Sequence, residues 1–314
     1  MKLINYREGM HPTQPDPYLI SAEGRYYLYV TGTDGVHAYA SDSLMGEYED
    51  VGIVFSLAEA KEYWAPCVIM IEGKYYMYVS FMPKDEEDVH LEALHVAVSD
   101  RPEGPFQCKG RIADPFSIDA HCVANEEGLF LFYSVNDYEA ERAGTYIVVD
   151  RMSDPYTLAG DPVAVVRPTL DEEIFMRDRF RAGQHWHTIE GAFYFNEGDD
   201  HFVIYSGNCF ENEHYYLGYA HAHTSERDLT KIKFQKYPDD QTYAPLLAKN
   251  HQESGTGHNS LIQVDGRYYL IYHGRDLTPE HTLPPTETRT ARICPMDVNG
   301  NRLSARREAQ GLCP

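Results

Sequence analysis

Residues 16–32 read DPYLISAEGRYYLYVTG, which is a short apolar run, a Glu-Gly turn and a run of aromatic and β-branched residues. This pattern is typical of a β-hairpin, because glycine adopts the positive φ of a tight turn and because tyrosine and valine favour strands. The pattern recurs four times, as APCVIMIEGKYYMYVS (65–80), IDAHCVANEEGLFLFYS (118–134), EGAFYFNEGDDHFVIYSG (190–207) and HNSLIQVDGRYYLIYHG (258–274). Five copies of one hairpin predict a repeat architecture.

The stretches between the hairpins contain further short strands and turns, such as HAYASDSLMGEYED and LHVAVSDRPEGPF. Three to four strands in each of five units are the signature of a β-propeller. No linker, low-complexity tract or charge block interrupts the chain. We therefore predict an all-β protein in which residues 1–314 form a single five-bladed β-propeller domain.

The formal net charge of −22 argues against nucleic acid and anionic membranes as partners, since both attract clustered Lys and Arg. No apolar run approaches the ~18 residues of a transmembrane helix. The N-terminal residues lack the apolar core of a signal peptide, and the six cysteines are scattered without paired spacing. These features predict a cytoplasmic protein that acts on a neutral ligand.

A count of eight residues back from each turn glycine leads to the start of the hairpin. The residues reached are Asp16, Ala65, Ala120, Glu190 and His258. Asp119 adjoins Ala120, which predicts a one-residue displacement in the third repeat. First strands line the channel of a propeller, and carboxylates that converge there repel one another and lose hydration. Each acid alone is compatible with a strand-entry, turn or rim position, but three acids at matching positions indicate catalysis.

Several segments resemble the blade motifs of glycoside hydrolase family 43, which contains arabinofuranosidases, arabinanases and xylosidases on a five-bladed propeller. They are QPDPYLI, YWAPCVIMIEGKYYMYVS, SIDAHCVANEEGLFLFYS, TIEGAFYFNEGDDHFVIYSGN and GTGHNSLIQVDGRYYLIYHGR, and the resemblance spans roughly residues 15–289. The resemblance implies that Asp16 is the general base, Glu190 the general acid and Asp119 the residue that raises the acid's pKa and orients it. Inverting glycosidases need two carboxyl groups about 6.5–9.5 Å apart, with a water between them.

The same resemblance implies residues that bind the substrate. Trp64 corresponds to a tryptophan at the sugar site, Arg289 to an arginine that hydrogen-bonds the terminal sugar, and His258 to a histidine near the axis. The candidate substrate-binding residues are Trp64, His258, Arg289, Phe193 and Asp34, with Trp186 as further pocket lining. No cofactor is required for this chemistry, and His258 is a candidate ligand for a structural calcium or sodium ion.

We therefore expect an inverting glycoside hydrolase that releases α-L-arabinofuranosyl units from neutral plant oligosaccharides. β-Xylosidase and endo-arabinanase are alternatives; xylosidases of the family often carry a C-terminal β-sandwich, for which the residues after the fifth repeat are too few. A non-catalytic glycan- or protein-binding propeller would not need three acids in the channel. A fructosidase-type hydrolase would carry Trp-x-Asn-Asp-Pro and Arg-Asp-Pro motifs that are missing. The sequence leaves the oligomeric state open.

Overall fold

The computed structural model describes residues 1–4, 7–277 and 288–307, and these residues form mainly β-strands. They include two short 3-10 helices, Val89–Leu91 and Asp171–Glu173. No helix among these residues has the length and apolar character that crossing a membrane requires.

The strands follow the order of the five repeats. Blade 1 contains β1 (Tyr18–Ala22), β2 (Arg25–Val30), β3 (Val36–Ser41) and β4 (Glu49–Phe55). Blade 2 contains β5 (Ala60–Ile71), β6 (Lys74–Pro83), β7 (Ala93–Ser99) and β8 (Gln107–Arg111). Blade 3 contains β9 (Ser117–Asn125), β10 (Gly128–Asp137), β11 (Gly144–Asp154), β12 (Thr157–Leu158) and β13 (Val163–Val166). Blade 4 contains β14 (Ile174–Met176), β15 (Trp186–Glu197), β16 (Asp200–Gly207), β17 (Tyr216–His223) and β18 (Gln235–Lys236). Blade 5 contains β19 (Glu253–Val264), β20 (Arg267–Asp276), β21 (Thr290–Asn299) and β22 (Arg302–Ala305).

Within each blade, successive main strands pair antiparallel. Blades 3 and 4 are also joined by a short parallel contact between β11 and β15, in which Gly144 is opposite His187. The N-terminus joins blade 5, because the Leu3 N–H donates to the Ala291 carbonyl (2.8 Å) and the Ile293 N–H donates to the Met1 carbonyl (2.9 Å). The start of the chain therefore adds to the last blade.

The core consists of five clusters of buried side chains, and each cluster lies between two neighbouring blades. Strand β2 illustrates how the sequence produces this arrangement. Its Tyr27 and Tyr29 pack towards blade 2, whereas the alternate residues Leu28 and Val30 pack towards blade 5. Alternate residues of a strand point to opposite faces, so a strand apolar on both faces is suited to the middle of a stack. Because the fifth cluster joins blade 5 to blade 1, the predicted five-bladed propeller is confirmed.

In each blade the first strand of the repeated hairpin (β1, β5, β9, β15 or β19) has an irregularity, within the strand or just before it, where one residue adopts a positive φ. These residues are Asp16 (51°), Ala65 (46°), Asp119 (60°), Gly191 (63°) and His258 (45°). In blades 2 to 5 the pairing with the second strand shifts at this point, as a β-bulge does. The five bulge residues are equivalent, so Asp119 is in register with Asp16. The predicted displacement of the third repeat is wrong, and the displaced acid is Glu190, which precedes the bulge residue Gly191.

Candidate active site

The bulges and the residues before them build one pocket on the propeller axis, with a cavity of about 420 Å³. Its lining includes the bulge residues Asp16, Asp119 and His258. Four residues that immediately precede a bulge also line it, namely Pro15, Trp64, Ile118 and Glu190. The extra residue of a bulge re-aims the neighbouring side chains, and in blades 1 and 3 two consecutive residues line the pocket.

Asp16 lies among groups that favour its charged form. Its Oδ2 accepts a hydrogen bond from the Thr31 hydroxyl (2.6 Å). Its Oδ1 lies 3.4 Å from His258 Nδ1, 3.2 Å from His273 Nδ1 and 3.5 Å from Arg289 Nη1. Burial alone would raise the pKa of Asp16, but His258, Arg289 and His273 lower it by more, so this pKa lies well below its ordinary value. Asp16 is ionised at neutral pH.

Glu190 has the opposite electrostatic setting. Its Oε1 accepts a hydrogen bond from the Tyr215 hydroxyl (2.8 Å). Burial raises the pKa of Glu190 to about 7; the Tyr215 hydrogen bond and the charge of Arg289 lower it, whereas the charge of Asp16 raises it. Glu190 therefore retains a proton in part of its population at neutral pH, which is what a general acid requires.

Asp119 lies beside Glu190 and is 5% exposed. Its Oδ2 accepts a hydrogen bond from the Gly191 N–H (3.1 Å), which ties blade 3 to the strand that carries Glu190. Burial, followed by the charges of Glu190 and Asp16, raises the pKa of Asp119 well above its ordinary value. The two carboxyl groups titrate as an interacting pair.

Trp64, His258 and Arg289 line the pocket with the three acids. The Trp64 indole N–H donates to Glu62 Oε2 (3.1 Å), which holds the indole in place. Arg289 is 7% exposed, and its guanidinium lies over the Phe210 ring at 4.9 Å. Burial lowers the pKa of His258, and the charge of Asp16 opposes this shift.

Phe193, Asp34 and Trp186 do not line this pocket. Phe193 follows the bulge and packs between blades, with its ring centroid 4.1 Å from that of His121. Asp34 turns outward, where its Oδ1 lies 2.9 Å from His37 Nε2 and 62% of its side chain is exposed. Trp186 is buried against Tyr138 at a ring-centroid distance of 5.0 Å. The expectation that these three side chains contact the substrate in the pocket is wrong, because each is committed to another contact.

The groups around Asp16 do not fit a calcium or sodium ion. A cation at Asp16 Oδ1 would lie close to the Arg289 guanidinium and would be repelled by it. Within the described ranges, no group of three or more His, Cys, Asp or Glu side chains could hold a metal ion.

Sequence reasoning missed two contributors to the site, Tyr215 and Glu92. Tyr215 donates to Glu190 and stacks on His273 at a centroid distance of 5.6 Å. Gly257 was a weak indication of this contact in the sequence. A Cβ atom at this position would lie 2.0 Å from the Tyr215 ring, so only glycine leaves room for the ring. No sequence pattern indicated that Glu92 lies near the site. It is fully buried, its two carboxyl oxygens have no hydrogen-bond partner among the described residues, and burial raises its pKa to about 9, with Glu62 and Asp119 adding to the shift.

Comparison with curated proteins finds enzymes that act on pentosides. A xylosidase/arabinosidase from Bacteroides ovatus is 25% identical over 299 residues, which cover 84% of this chain and 81% of that protein. An extracellular exo-α-(1→5)-L-arabinofuranosidase from Streptomyces avermitilis is 26% identical over 226 residues. That alignment covers 68% of this chain but 43% of the relative, so the chain spans less than half of the longer protein.

A relative from Streptomyces chartreusis, 24% identical, is likewise named an extracellular exo-α-(1→5)-L-arabinofuranosidase. These two names contradict the cytoplasmic location predicted from the N-terminal residues and the cysteines, and that prediction is wrong. The number and spacing of cysteines are weak guides to compartment in a chain large enough to be stable without disulfides.

Solved structures agree with the sequence relatives. A thermostable family-43 glycoside hydrolase superimposes with a TM-score of 0.77 at 28% identity, over 99% of this chain and 98% of that one. An α-L-arabinofuranosidase from Lactobacillus brevis superimposes with a TM-score of 0.75 at 20% identity, over 93% of both chains, and shows the shared fold. The model of glycosyl hydrolases family 43 matches residues 10–301. The chain belongs to this family and is a glycoside hydrolase.

Proposed function

We propose that this enzyme hydrolyses terminal α-L-arabinofuranosyl linkages of neutral oligosaccharides with inversion of configuration. The observation that carries the proposal is the contrast between the pKa of Asp16, which lies below its ordinary value, and that of Glu190, which is raised to about 7 in the same cavity. One carboxylate and one carboxylic acid in a single pocket are the two groups that inverting hydrolysis needs.

In the proposed reaction Asp16 removes a proton from a water, whose oxygen attacks the anomeric carbon. Glu190 gives its proton to the glycosidic oxygen as the bond to the leaving group breaks. Asp119 fixes the strand of Glu190 through the Gly191 N–H, and its carboxyl group favours the protonated form of the acid. Arg289 and Trp64 hold the sugar, Arg289 by donating to its hydroxyls and Trp64 by stacking on its C–H face.

The arabinofuranosyl assignment is supported by the names of the relatives from two Streptomyces species. A xylosidase activity is the second candidate, since the Bacteroides ovatus relative is named a xylosidase/arabinosidase. A cavity of about 420 Å³ is small within the ~300–1,000 Å³ range of ligand pockets. This size favours capture of a terminal unit over cleavage inside a long chain, as in an endo-arabinanase.

We also propose that residues 1–314 form one domain. Support comes from the strands between Tyr18 and Ala305, which follow one another blade by blade, and from the pairing of Leu3 with β21.

A panel of aryl α-L-arabinofuranoside, β-D-xylopyranoside and β-D-galactopyranoside substrates tests the sugar, and NMR of the first-formed anomer tests the stereochemistry. We expect the highest kcat/KM on the arabinofuranoside, and an inverted first product. A retained product would overturn the assignment of Asp16 as base, because retention requires a covalent intermediate. Hydrolysis of none of the pentosides would overturn the proposed function.

A further inference from the structure

A second cleft, of about 830 Å³, opens between blades 3 and 4. It lies between residues 138–143, which connect β10 to β11, and residues 181–187, which lead into β15. Its lining includes Tyr138, Arg142, Asp171 and His187. None of these residues belongs to the pocket that holds the three acids.

Strand β15 connects the cleft with the proposed acid. His187 lines the cleft, and Glu190 follows it by three residues on the same strand. At a rise of about 3.3 Å per residue, the two positions are about 10 Å apart along the strand. A general acid stands beside the oxygen of the leaving group, so the rest of an oligosaccharide extends away from the pocket past Glu190. The cleft lies within reach of that part of the substrate.

Two exposed aromatic rings stand at one side of the cleft: Tyr138 lines it, and Phe180 adjoins it through contacts with Tyr138 and Trp186. Tyr138 is 46% exposed and Phe180 is 54% exposed, and their ring centroids are 6.2 Å apart. Both pack on the buried Trp186, at 5.0 Å for Tyr138 and 5.7 Å for Phe180. Trp186 fixes the two rings from beneath and leaves them open to the solvent. Exposed, supported rings are suited to stacking on the C–H faces of sugars.

The floor of the cleft carries a guanidinium group held in one orientation. Arg142 Nη1 donates to Asp171 Oδ1 (2.8 Å) and to His187 Nε2 (3.0 Å). His187 Nδ1 lies 3.2 Å from the Ala143 carbonyl and donates to it, so its Nε2 is the acceptor. The Arg142 side chain is still 37% exposed. A fixed, solvent-accessible guanidinium can donate to sugar hydroxyls at little cost in side-chain entropy.

Hydrogen bonds and close backbone packing hold the segments around the cleft in place. The Gly183 N–H donates to Asp178 Oδ1 (2.7 Å), and the Arg179 N–H donates to the Gln184 carbonyl (3.1 Å). On the opposite side, a Cβ atom at Gly144 would lie 2.1 Å from the His187 carbonyl oxygen, so glycine is needed for β11 to approach β15. The cleft is therefore preformed.

We propose that this cleft binds the leaving-group sugars of a neutral oligosaccharide, with Tyr138 and Phe180 as the stacking surface and Arg142 as the hydroxyl donor. The inference rests on the proposed function, because it assigns the cleft to the leaving-group side of Glu190. Glu139, Glu141 and Asp171 stand beside Arg142 and Arg181 in the lining, and this mixture of charges favours a neutral ligand over an anionic one.

The test compares kcat/KM on an aryl arabinofuranoside with kcat/KM on arabino-oligosaccharides of increasing length. The variants are Phe180→Ala, Tyr138→Ala and the double variant. Tyr156→Ala is the matched control, because Tyr156 is 42% exposed in the turn that follows β11, at the opposite end of that strand. We expect the ratio of oligosaccharide to aryl kcat/KM to fall by about tenfold in the double variant, by less in each single variant, and not in the control.

An unchanged ratio in the double variant would overturn the cleft assignment while leaving the proposed function intact. If the unaltered protein hydrolyses no pentoside, the proposed function fails, and calorimetric titration with the same oligosaccharides then decides the cleft. Weaker binding by the double variant than by Tyr156→Ala supports the cleft, and equal binding overturns it. Phe180→Ala alone suffices if Tyr138→Ala fails to fold, because Phe180 is the more exposed of the two rings.

Discussion

Two glutamates associated with blade 4 are buried in contrasting ways, although consecutive tyrosines donate to them. Tyr216 donates to Glu173, and Tyr215 donates to Glu190. Glu173 also accepts hydrogen bonds from the N–H groups of Thr169 (2.6 Å) and Leu170 (2.9 Å), and it is paired with Lys236 Nζ at 2.5 Å.

In the described part of the chain, the Glu190 carboxyl receives one hydrogen bond, that from Tyr215. A buried carboxylate is tolerated where hydrogen bonds and a cation replace its hydration, as at Glu173. Where they do not, the pKa rises, as it does at Glu190. The same residue type therefore serves stability at one position and proton transfer at the other.

The largest expected effect comes from Glu190→Gln. On a glycoside with a poor leaving group, kcat/KM should fall by about 10²–10⁴, because the departing oxygen no longer receives a proton. On an activated aryl glycoside the loss should be much smaller, since that leaving group departs without protonation. Asp16→Asn should reduce both activities alike, because water activation serves both substrates. Equal losses on both substrates for Glu190→Gln would exclude it as the acid.

Lys236→Met tests the other buried glutamate, Glu173, by removing the cation that is paired with it. It leaves Glu173 buried without its cation, and the free energy of unfolding should fall by about 3–5 kcal/mol. Lys231→Met is the control, since this lysine is 65% exposed and its ion pair with Asp228 should contribute no more than about 1 kcal/mol. Denaturant unfolding measures both variants. A loss no larger than that of the control would show that Lys236 does not stabilise the buried carboxylate.

Glu190→Gln should also stabilise the fold above neutral pH. The pKa of Glu190 is about 7 in the folded protein, above its ordinary value of 4.5, so ionisation of this group opposes folding. This loss of folding free energy begins as the pH rises past 4.5 and is complete above pH 7. We expect a gain of about 3 kcal/mol at pH 8 and none at pH 4. Thermal unfolding at the two pH values measures it, and an equal effect at both would contradict the assigned pKa.

Asp119→Asn should give the smallest effect. The amide keeps the shape of the carboxyl but removes its repulsion of the Glu190 carboxylate, so Glu190 should lose its proton at lower pH. The alkaline limb of the kcat/KM profile should move down by up to about one pH unit. Asp100→Asn, in a side chain that is 86% exposed, is the control. An unmoved alkaline limb would remove Asp119 from the proton-transfer machinery and leave it a structural role.

The sequence predicted the propeller because hairpin turns and alternating strands are local features, but it misjudged one register. Counting from glycine assumes that each glycine occupies the same place in its turn. Gly24, Gly73 and Gly266 are the second residue of a two-residue turn. Gly198 is the first residue of its turn, and Gly128 follows its turn. These offsets of one residue in opposite directions led the count to Glu190 rather than Gly191 and to Ala120 rather than Asp119.

Other parts of the site could not be read from local pattern at all. Tyr215 reaches Glu190 from a different strand pair, and Glu92 adjoins the acids only because blades 2 and 3 pack together. Phe193 lies three residues after Glu190, and the bulge between them decides which way its side chain points. Contacts between blades depend on packing, which a single sequence does not display.

The bulge residues also affect which blades could be exchanged between related propeller enzymes. The bulge N–H of one blade donates to a side chain of the blade before it: Ala65 to Thr31 Oγ1, Gly191 to Asp119 Oδ2, His258 to Ser206 Oγ and Asp16 to His273 Nδ1. A blade transplanted from a relative would bring its own acid but lose the acceptor that fixes it. An exchanged segment would therefore have to include a bulge together with the preceding blade that supplies its acceptor.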